Sequence, residues 1–219
     1  MLRFAPSPTG RLHVGNARVA ILNYLFAKKN KLKFILRIDD TDKNRSKESF
    51  IKLIQEDLKW LGIQYDSTFN QSNRMKKYYE ICEILKKKGK LYPCYETPEE
   101  LELKRKIQLK TGKPPIYDRS SLKLSKKDIF EYDRLGRKPH WRLLLDDDPI
   151  HWVDLIHKDI NFEKLSISDP VLVRSDNTPL FTITSVVDDI DFNISHILRG
   201  DDHLTNTAAQ IKLFKYLGG

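Results

Sequence analysis

The chain has 219 residues, a net charge of +9, 40% hydrophobic residues and 32% charged residues. This length fits one large domain, or one domain that carries an inserted second domain, and the composition is ordinary for a globular protein. No apolar run approaches about 18 residues, so we expect neither a membrane span nor a secretory leader. The two cysteines, Cys82 and Cys94, are too few for a disulfide scaffold and favour a cytoplasmic location.

The segment 3–18 predicts a first strand that enters a stiff turn. Pro6 and Pro8 fix φ, withhold two backbone donors and hold the residue before each of them extended. Gly10 and Gly15 allow another backbone or a ligand to approach closely. The turn is therefore predicted to be rigid and accessible.

An apolar run begins directly after Asn16, and a helix is predicted to start after Gly15. Its free N–H groups and positive dipole end would lie beside His13. A strand, a glycine-containing turn and a helix start together form a common phosphate site. The alternative is that the prolines only stiffen a surface turn and that His13 is an ordinary surface residue.

A second buried strand is predicted at 33–38, parallel to the first, and the polar cluster 39–42 follows it. In open α/β sheets, ligands collect at the carboxyl ends of the strands, so this cluster is a candidate site. The alternative is that Asp40 and Asp42 cap the following loop or helix.

Apolar spacing and turn residues predict the remaining elements. Helices are expected between Ser46 as N-cap and Gly62 at C′, and over 71–85, 98–110 and 207–217. Strands are expected at 91–95, 141–145, 151–156, 168–174 and 194–199. The β-branched segment 181–191 favours a strand on propensity alone.

Positive charge is concentrated in one part of the chain. Between Lys86 and Lys138 there are 16 Lys or Arg residues against 8 Asp or Glu residues, which is nearly all of the excess. Such a stretch can attract nucleic-acid phosphate. The alternative is a lysine-rich, solvated face.

Three motifs point to one family. Residues 4–16 resemble the HIGH signature of class I aminoacyl-tRNA synthetases in the form used by the glutamyl branch, the glutamate–tRNA ligases. Residues 37–42 resemble the Arg-Ile-Glu-Asp-Thr-Asp motif of that branch, and residues 181–189 resemble its Tyr-x-Leu-x-x-Val-Val-Asp-Asp motif. The resemblance covers essentially all 219 residues, and it implies a helix rather than a strand at 181–191.

The resemblance implies an α/β fold, with a Rossmann-type doubly wound parallel sheet split by an inserted α+β domain. Residues 1–95 and 167–219 would be the two halves of the catalytic domain. Residues 96–166 would be the insertion that grips the tRNA acceptor stem, using the basic stretch 86–138. We expect the true KMSKS loop and an anticodon-binding domain beyond Gly219, so the chain is expected to be an N-terminal catalytic fragment.

A KMSKS-like string also lies at 123–127, inside the predicted insertion. In the family that loop follows the second half of the nucleotide fold, so this position argues against a catalytic role. We interpret Ser125 as a helix cap in a basic surface segment.

The implied reaction is the activation of L-glutamate with ATP to glutamyl-adenylate, followed by transfer to the 3′ end of tRNA(Glu). Mg²⁺ would accompany ATP. Residues expected to take part in the chemistry are His13, Gly15 and Asn16. Residues expected to bind ATP are Pro8, Thr9, Gly10, His13, Gly15 and Asp201.

The residues expected to bind glutamate are Arg3, Ala5, Pro6, Ser7, Asp39, Phe181, Ser185 and Arg199. Arg199 would bind the γ-carboxylate, because a guanidinium can clasp a carboxylate with two parallel bonds. The alternative is that Arg199 pairs with Asp201 or Asp202. Asp39 would meet the α-amino group and is shorter than the family's glutamate, and Phe181 lacks the hydroxyl of the usual tyrosine.

Many relatives hold structural zinc with a Cys-x-Cys pair and a later cysteine. Here the corresponding residues are Cys94 and Glu96, followed by the segment 117–120, so only one thiolate is present. We therefore expect no zinc.

Two other functions stay open. One is a shortened relative that attaches glutamate to the queuosine base of tRNA(Asp), and the other is a non-catalytic RNA-binding paralogue. The presence of Arg3, His13 and Arg199 argues against the paralogue. We expect a monomer.

Overall fold

The computed structural model describes residues 1–163 and 166–219, which fall into two units. The first unit consists of Met1–Tyr79 and Thr184–Leu204, and the second of Glu80–Ile183 and Thr205–Gly219. Residues 164 and 165, inside the predicted insertion 96–166, lie outside the described residues. The division of the chain at residues 95 and 166 stays a prediction.

Helices and strands alternate in the first part of the chain. Later, four strands follow one another in succession. In chain order the elements are β1 Leu2–Phe4, α1 Val14–Lys29, β2 Phe34–Ile38, α2 Glu48–Trp60, β3 Ser67–Asn70, α3 Met75–Lys87, β4 Leu91–Cys94, α4 Pro98–Lys110, α5 Lys126–Arg134, β5 His140–Leu143, β6 Ile150–Asp154, β7 Lys158–Phe162, β8 Val171–Val173, α6 Phe181–Asp191 and α7 Leu204–Leu217. Short 3-10 turns cover Gln71–Arg74, Ser120–Lys123 and Asp201–His203. Among the described residues, no helix is long and apolar enough to cross a membrane.

The first unit is built on a parallel sheet in the order β1-β2-β3. Leu2 lies opposite Phe34, and Ile35 lies opposite Ser67. The parallel pairing of the first two strands is confirmed. The sheet shares one apolar core with α1 and α2, formed by Leu2, Phe4, Ala20, Ala27, Phe34, Leu36, Ile38, Ile51, Ile54, Leu58 and Ile63.

The third strand was not predicted from the sequence. β3 consists of Ser67, Thr68, Phe69 and Asn70, and none of these residues is fully buried. Because the strand has a polar composition and pairs with β2 at the edge of this sheet, it carries no apolar run.

Two helix starts differ from the sequence prediction. α1 begins at Val14 with His13 as its N-cap, slightly before the predicted start after Gly15. α2 begins after Lys47, which makes no side-chain capping bond, so the predicted cap at Ser46 is wrong. At the other end of α2 the prediction holds, because Gly62 follows the C-cap with a φ of +71°.

The segment 181–191 is helical, as the family resemblance implied. The strand that propensity alone favoured for this segment is wrong. Residues 183–189 of α6 are all buried, so tertiary contacts outweigh the intrinsic preference of the β-branched side chains. The strand predicted at 194–199 is wrong. These residues form no regular strand, although Ser195 N–H donates to the carbonyl of Met1 at 2.9 Å.

The second unit contains an antiparallel sheet in the order β4-β5-β8 and a separate hairpin of β6 and β7. The strand predicted at 151–156 is present over residues 151–154, but it ends at Asp154, where the chain reverses into β7, which was not predicted. The Asp154 carboxylate accepts bonds from the N–H groups of Ile156 (2.8 Å) and His157 (2.9 Å), which fixes that reversal.

Asp169 is the buried polar centre of the second unit. Its carboxylate accepts bonds from the hydroxyl of Tyr92 (2.7 Å), from Nε of Arg119 (2.8 Å) and from the N–H of Leu145 (3.1 Å). Three separate segments of the chain are joined at this one side chain, and its charge is matched by a guanidinium.

Ser125 is the N-cap of α5, as predicted. Its Oγ accepts from the Asp128 N–H at 3.2 Å, and the Asp128 carboxylate accepts from the Ser125 N–H at 2.8 Å, which completes a capping box. The KMSKS-like string at 123–127 therefore has a structural role here.

We expect Ser125→Ala to lower the free energy of unfolding by about 1 kcal/mol, because the Asp128 N–H loses its acceptor and the Asp128 carboxylate loses the Oγ–H donor. Urea denaturation of the variant and of the parent chain measures the difference. Lys126→Ala, at the next and exposed position, is the matched control and should change stability little. Equal losses in the two variants would contradict the capping role.

Candidate active site

Three loops meet at the carboxyl edge of the parallel sheet in the first unit. The proline turn follows β1, the cluster 39–42 follows β2, and the 3-10 turn at 71–74 follows β3. The carbonyl of Pro6 accepts from the Asp39 N–H at 3.0 Å, and that of Pro8 accepts from the Lys47 N–H at 3.1 Å. The proline turn is therefore bonded directly to the loop that leaves β2.

His13 caps the helix that leaves this turn. Its Nδ1 accepts a bond from the Gly15 N–H at 3.1 Å, which leaves the proton of a neutral imidazole on Nε2. His13, Val14 and Gly15 are all exposed. A Cβ on Gly15 would lie 2.9 Å from Cε1 of His13, so a glycine is required for this arrangement. The site thus combines an exposed N–H donor with a helix N-terminus.

The other residues of the turn differ in exposure. Ser7 and Thr9 are exposed, Ala5 and Gly10 are half-buried, and Pro6 and Pro8 are buried. A Cβ placed on Gly10 would have open space around it. The two prolines therefore anchor the turn, and the hydroxyls between them face accessible space.

Arg37 lies at the centre of the polar network beside this turn. It is only 1% exposed and lies next to the last residue of β2. Its Nε and Nη2 bond the two carboxylate oxygens of Asp39 at 2.7 and 3.2 Å. Nη2 also bonds Oγ of Ser185 at 2.8 Å, and Nη1 bonds Asp189 at 3.0 Å. Burial opposes the charge, but the two carboxylates outweigh it and raise the pKa of Arg37.

Arg3 on β1 is joined to the same network. Its Nε and Nη2 bond the two carboxylate oxygens of Asp189 at 2.8 and 2.9 Å, with both side chains buried. Asp189 therefore bridges Arg3 and Arg37.

Arg199 lies in the field of these charges. Burial and the charge of Arg3 lower its pKa to about 10, although Asp189 and Asp202 act in the opposite direction. The guanidinium is still charged at neutral pH. Because nearby positive charge makes that state less favourable, an added carboxylate would be attracted to this position. Asp202 acts on Arg199 through its charge, and the pairing of Arg199 with Asp201 or Asp202 stays a prediction.

Neighbouring acidic side chains have structural partners. The Asp40 carboxylate accepts from both the N–H and the hydroxyl of Ser72, at 2.8 and 2.7 Å. Asp42 accepts from the Arg45 N–H at 3.3 Å, which confirms that it caps the loop that follows. Asp188 accepts from Tyr78 and Arg74.

The remaining predicted site residues are placed as follows. Ser185 lies on α6 in the first unit and bonds Arg37. Phe181 is the first residue of α6, is 37% exposed and belongs to the second unit. Asn16 is half-buried in the first turn of α1. Asp201 is exposed and begins a 3-10 turn. Their roles in binding stay predictions.

Sequence reasoning did not single out Arg37 and Asp189. A signal was available, because Arg37 is the one charge in an otherwise apolar strand, and Asp188 and Asp189 follow an apolar stretch of helix. Buried charges need partners, so such residues are candidates to pair with one another.

Comparison with known proteins identifies the family. The model of the catalytic domain of class I tRNA synthetases (E and Q) matches residues 1–219. The chain belongs to this class I tRNA synthetase family. Its α/β fold with a parallel sheet is the class I catalytic fold.

Two curated relatives show how far the similarity extends. The synthetase chain is 55% identical over 215 residues to glutamate–tRNA ligase 1 of Rickettsia prowazekii, covering 98% of the chain and 48% of the relative. It is also 55% identical over 219 residues to glutamate–tRNA ligase 2 of Beijerinckia indica, covering 100% and 49%. The chain therefore spans about half the length of these relatives.

Solved structures agree with this assignment. A crystal structure of a glutamate tRNA ligase from Elizabethkingia meningosepticum, in complex with its amino acid, matches with a TM-score of 0.88 at 31% identity. The match covers 99% of the synthetase chain and 47% of that protein. Glutamate-tRNA synthetase from Elizabethkingia anophelis matches with a TM-score of 0.89, also at 31% identity, over 99% and 47%.

The residues at the position of the family's zinc site do not fit a zinc centre. The Glu96 carboxylate accepts from the hydroxyls of Tyr117 (2.8 Å), Ser120 (2.7 Å) and Ser121 (2.8 Å), and from the Lys104 ammonium at 3.1 Å. Burial raises the pKa of the Cys94 thiol, which disfavours the thiolate that would bind a metal. Within the described residues, no three His, Cys, Asp or Glu side chains are grouped so that they could hold a metal ion.

The Glu96 cluster predicts a specific pH dependence of stability. Burial alone would raise the pKa of Glu96, but bonds from Ser120, Ser121 and Tyr117 lower it from about 4.5 to about 2. A lowered pKa in the folded state stabilises the fold fully above about pH 4.5, and this contribution is lost as the pH falls towards 2. Glu96→Gln should therefore be less stable than the parent chain at pH 7, and the difference should narrow between pH 4.5 and 2.

Urea denaturation at pH 7, 4.5 and 3, followed by tryptophan fluorescence, measures this difference. Glu102→Gln on α4 is the matched control, because that side chain is half exposed and only its 3.9 Å contact with Lys106 is lost. A difference between the parent chain and Glu96→Gln that stays constant across this pH range would contradict the role given to the Glu96 carboxylate.

Proposed function

We propose that the chain is the catalytic part of an enzyme that activates L-glutamate with ATP and transfers the glutamyl group to the 3′ end of tRNA(Glu). The observation that carries the proposal is the cluster of Arg3, Arg37 and Arg199 with Asp39 and Asp189 in the first unit. The same unit contains the His13-capped helix start. These residues offer partners of suitable charge to an anionic amino acid and to a triphosphate.

Glutamate would be bound through its two ends. The γ-carboxylate would bind Arg199, where positive charge is concentrated, with Arg3 nearby. The α-ammonium would lie towards the Asp39 carboxylate. The turn residues Ala5, Pro6 and Ser7 would line the space between, and Ser185 on α6 would complete the pocket.

ATP would be bound at the proline turn and the start of α1. The first N–H groups of a helix have no partners within the helix, and they attract anions. Pro8, Thr9 and Gly10 precede that start, and Asp201 begins the later turn of the first unit. Mg²⁺ bound with ATP supplies charge neutralisation for the leaving pyrophosphate.

The chemical step joins an oxygen of the glutamate α-carboxylate to the α-phosphorus of ATP. The bond from that phosphorus to the pyrophosphate oxygen breaks, and pyrophosphate leaves with the electron pair. The protein contributes position and N–H donors aimed at the developing phosphate charge. His13 Nε2–H and the Asn16 N–H would be those donors, and the Gly15 N–H would orient the imidazole through its bond to Nδ1.

The tRNA acceptor stem would bind the basic stretch 86–138, which lies in the second unit. Of its helices, α4 and α5 have no fully buried residue, so their charged side chains are accessible to phosphate. We place the reaction in the cytoplasm, with the enzyme acting as a monomer.

We expect His13→Ala, made in the full-length protein, to slow glutamyl-adenylate formation about a hundredfold, or about 3 kcal/mol in activation free energy. Glutamate affinity should stay close to that of the parent enzyme, because His13 is assigned to the phosphates. Glutamate-dependent ATP–pyrophosphate exchange in the presence of tRNA measures the rate, and calorimetry measures glutamate binding.

His13→Asn separates catalysis from helix capping. Asparagine is a good N-cap but has no imidazole. We expect His13→Asn to keep the thermal stability of the parent enzyme and to be as slow as His13→Ala. A normal exchange rate in His13→Asn would remove the imidazole from the mechanism, and an absence of glutamate-dependent exchange in the parent enzyme would overturn the proposed function.

A further inference from the structure

The guanidinium of Arg37 has no remaining capacity to bind a substrate. Its five N–H bonds are matched by five acceptor contacts: two to Asp39, two to Ser185 and one to Asp189. Arg37 is 1% exposed, and among the described residues no other arginine is buried to the same extent. Arg37 can therefore act on a substrate only through the groups that it holds.

Those groups stand at the two ends of the proposed glutamate pocket. Asp39, assigned to the α-ammonium end, is held by both of its carboxylate oxygens. Asp189 holds Arg3, assigned to the γ-carboxylate end, also through both oxygens. Arg37 bonds both carboxylates and so connects the two ends.

We propose that Arg37 and Asp189 are positioning residues that fix the separation between the ammonium end and the side-chain carboxylate end of the pocket, and so select glutamate over the shorter aspartate. The inference rests on the proposed function. It adds a chain-length selection made by two residues that do not touch the amino acid.

The geometry supports a fixed separation. Arg3 lies on β1, and Arg37 lies on the neighbouring β2, where Arg3 and Ile35 are register partners. Asp189 lies on α6, and Ser185, one helical turn earlier, bonds the same guanidinium. Two bonded strands and one helix therefore hold the network, and the Arg37–Asp39 and Arg3–Asp189 pairs are each bonded twice.

Lysine at position 37 is the sharpest test, because it keeps the charge but has three N–H donors on one atom and cannot reproduce the five contacts of the planar guanidinium. In the full-length enzyme, we expect Arg37→Lys to raise the KM for glutamate at least tenfold. The ratio of kcat/KM for glutamate to that for aspartate should also fall about tenfold, since one methylene is worth about 10- to 200-fold in selectivity. ATP–pyrophosphate exchange with tRNA measures both.

Arg74→Lys is the matched control. Arg74 also pairs with two carboxylates of α6, Asp188 at 2.8 Å and Asp191 at 2.6 Å, but it bonds neither Asp39 nor Asp189. The KM for glutamate and the selectivity against aspartate should stay at the values of the parent enzyme in this variant. If Arg74→Lys changed the selectivity for glutamate over aspartate as much as Arg37→Lys does, the loss of any ion pair to α6 would have this effect. That result would overturn the proposal.

Ser185→Ala provides a milder variant if Arg37→Lys does not fold. It removes the 2.8 Å bond to Nη2 and leaves both carboxylates in place. We expect a fall in selectivity of severalfold, in the same direction. An unchanged ratio in a folded variant, with only a lower melting temperature or a lower kcat, would show a purely structural role and overturn the proposal. A parent enzyme without glutamate-dependent exchange would instead count against the proposed function.

Discussion

Burial of the Arg37 guanidinium in the centre of a parallel sheet decides how the first unit assembles. Removing such a charge from water costs several kcal/mol unless its N–H groups are bonded and its charge is matched. Asp39 supplies one partner two residues away, but Ser185 and Asp189 come from about 150 residues later in the chain. The charge of Arg37 is therefore fully matched only when α6 has packed against the sheet. The folding of the first unit thus depends on a contact between segments that are distant in the chain.

The bonds made by Asp189 also determine how charge is distributed within the site. Asp189 compensates Arg3 and Arg37 together, whereas the pKa of Arg199 is lowered by burial and by the charge of Arg3. Arg199, at the position where the γ-carboxylate is proposed to bind, therefore feels a second positive charge, that of Arg3. A pocket of this kind favours an anionic side chain over a neutral amide of the same size, because only the anion gains from the field.

The sequence predicts most clearly what depends on near neighbours. The proline turn, the parallel pairing of β1 and β2, and the capped helices α4 and α5 follow from local patterns. The helix at 181–191 contradicts its own propensity, because burial of residues 183–189 decides its structure. β3 and the β6–β7 hairpin were not predicted, because an edge strand or a short chain reversal can form with few apolar residues. The partners of Arg37 could be suspected but not assigned, because an ion pair depends on distance in space.

The second unit shows how a charge pair can occupy the place of a metal centre. A tetrahedral metal site needs several deprotonated ligands around one dication. Here one carboxylate, Glu96, is matched by a monovalent ammonium, Lys104, and by three hydroxyls from the segment 117–121. The cluster has fewer ligand charges than a zinc site would need and a cation of lower charge, and the Glu96 carboxylate is fully bonded. Such a cluster joins the end of β4 to α4 and to the following loop without a thiolate, and its stability then depends on pH rather than on the supply of metal.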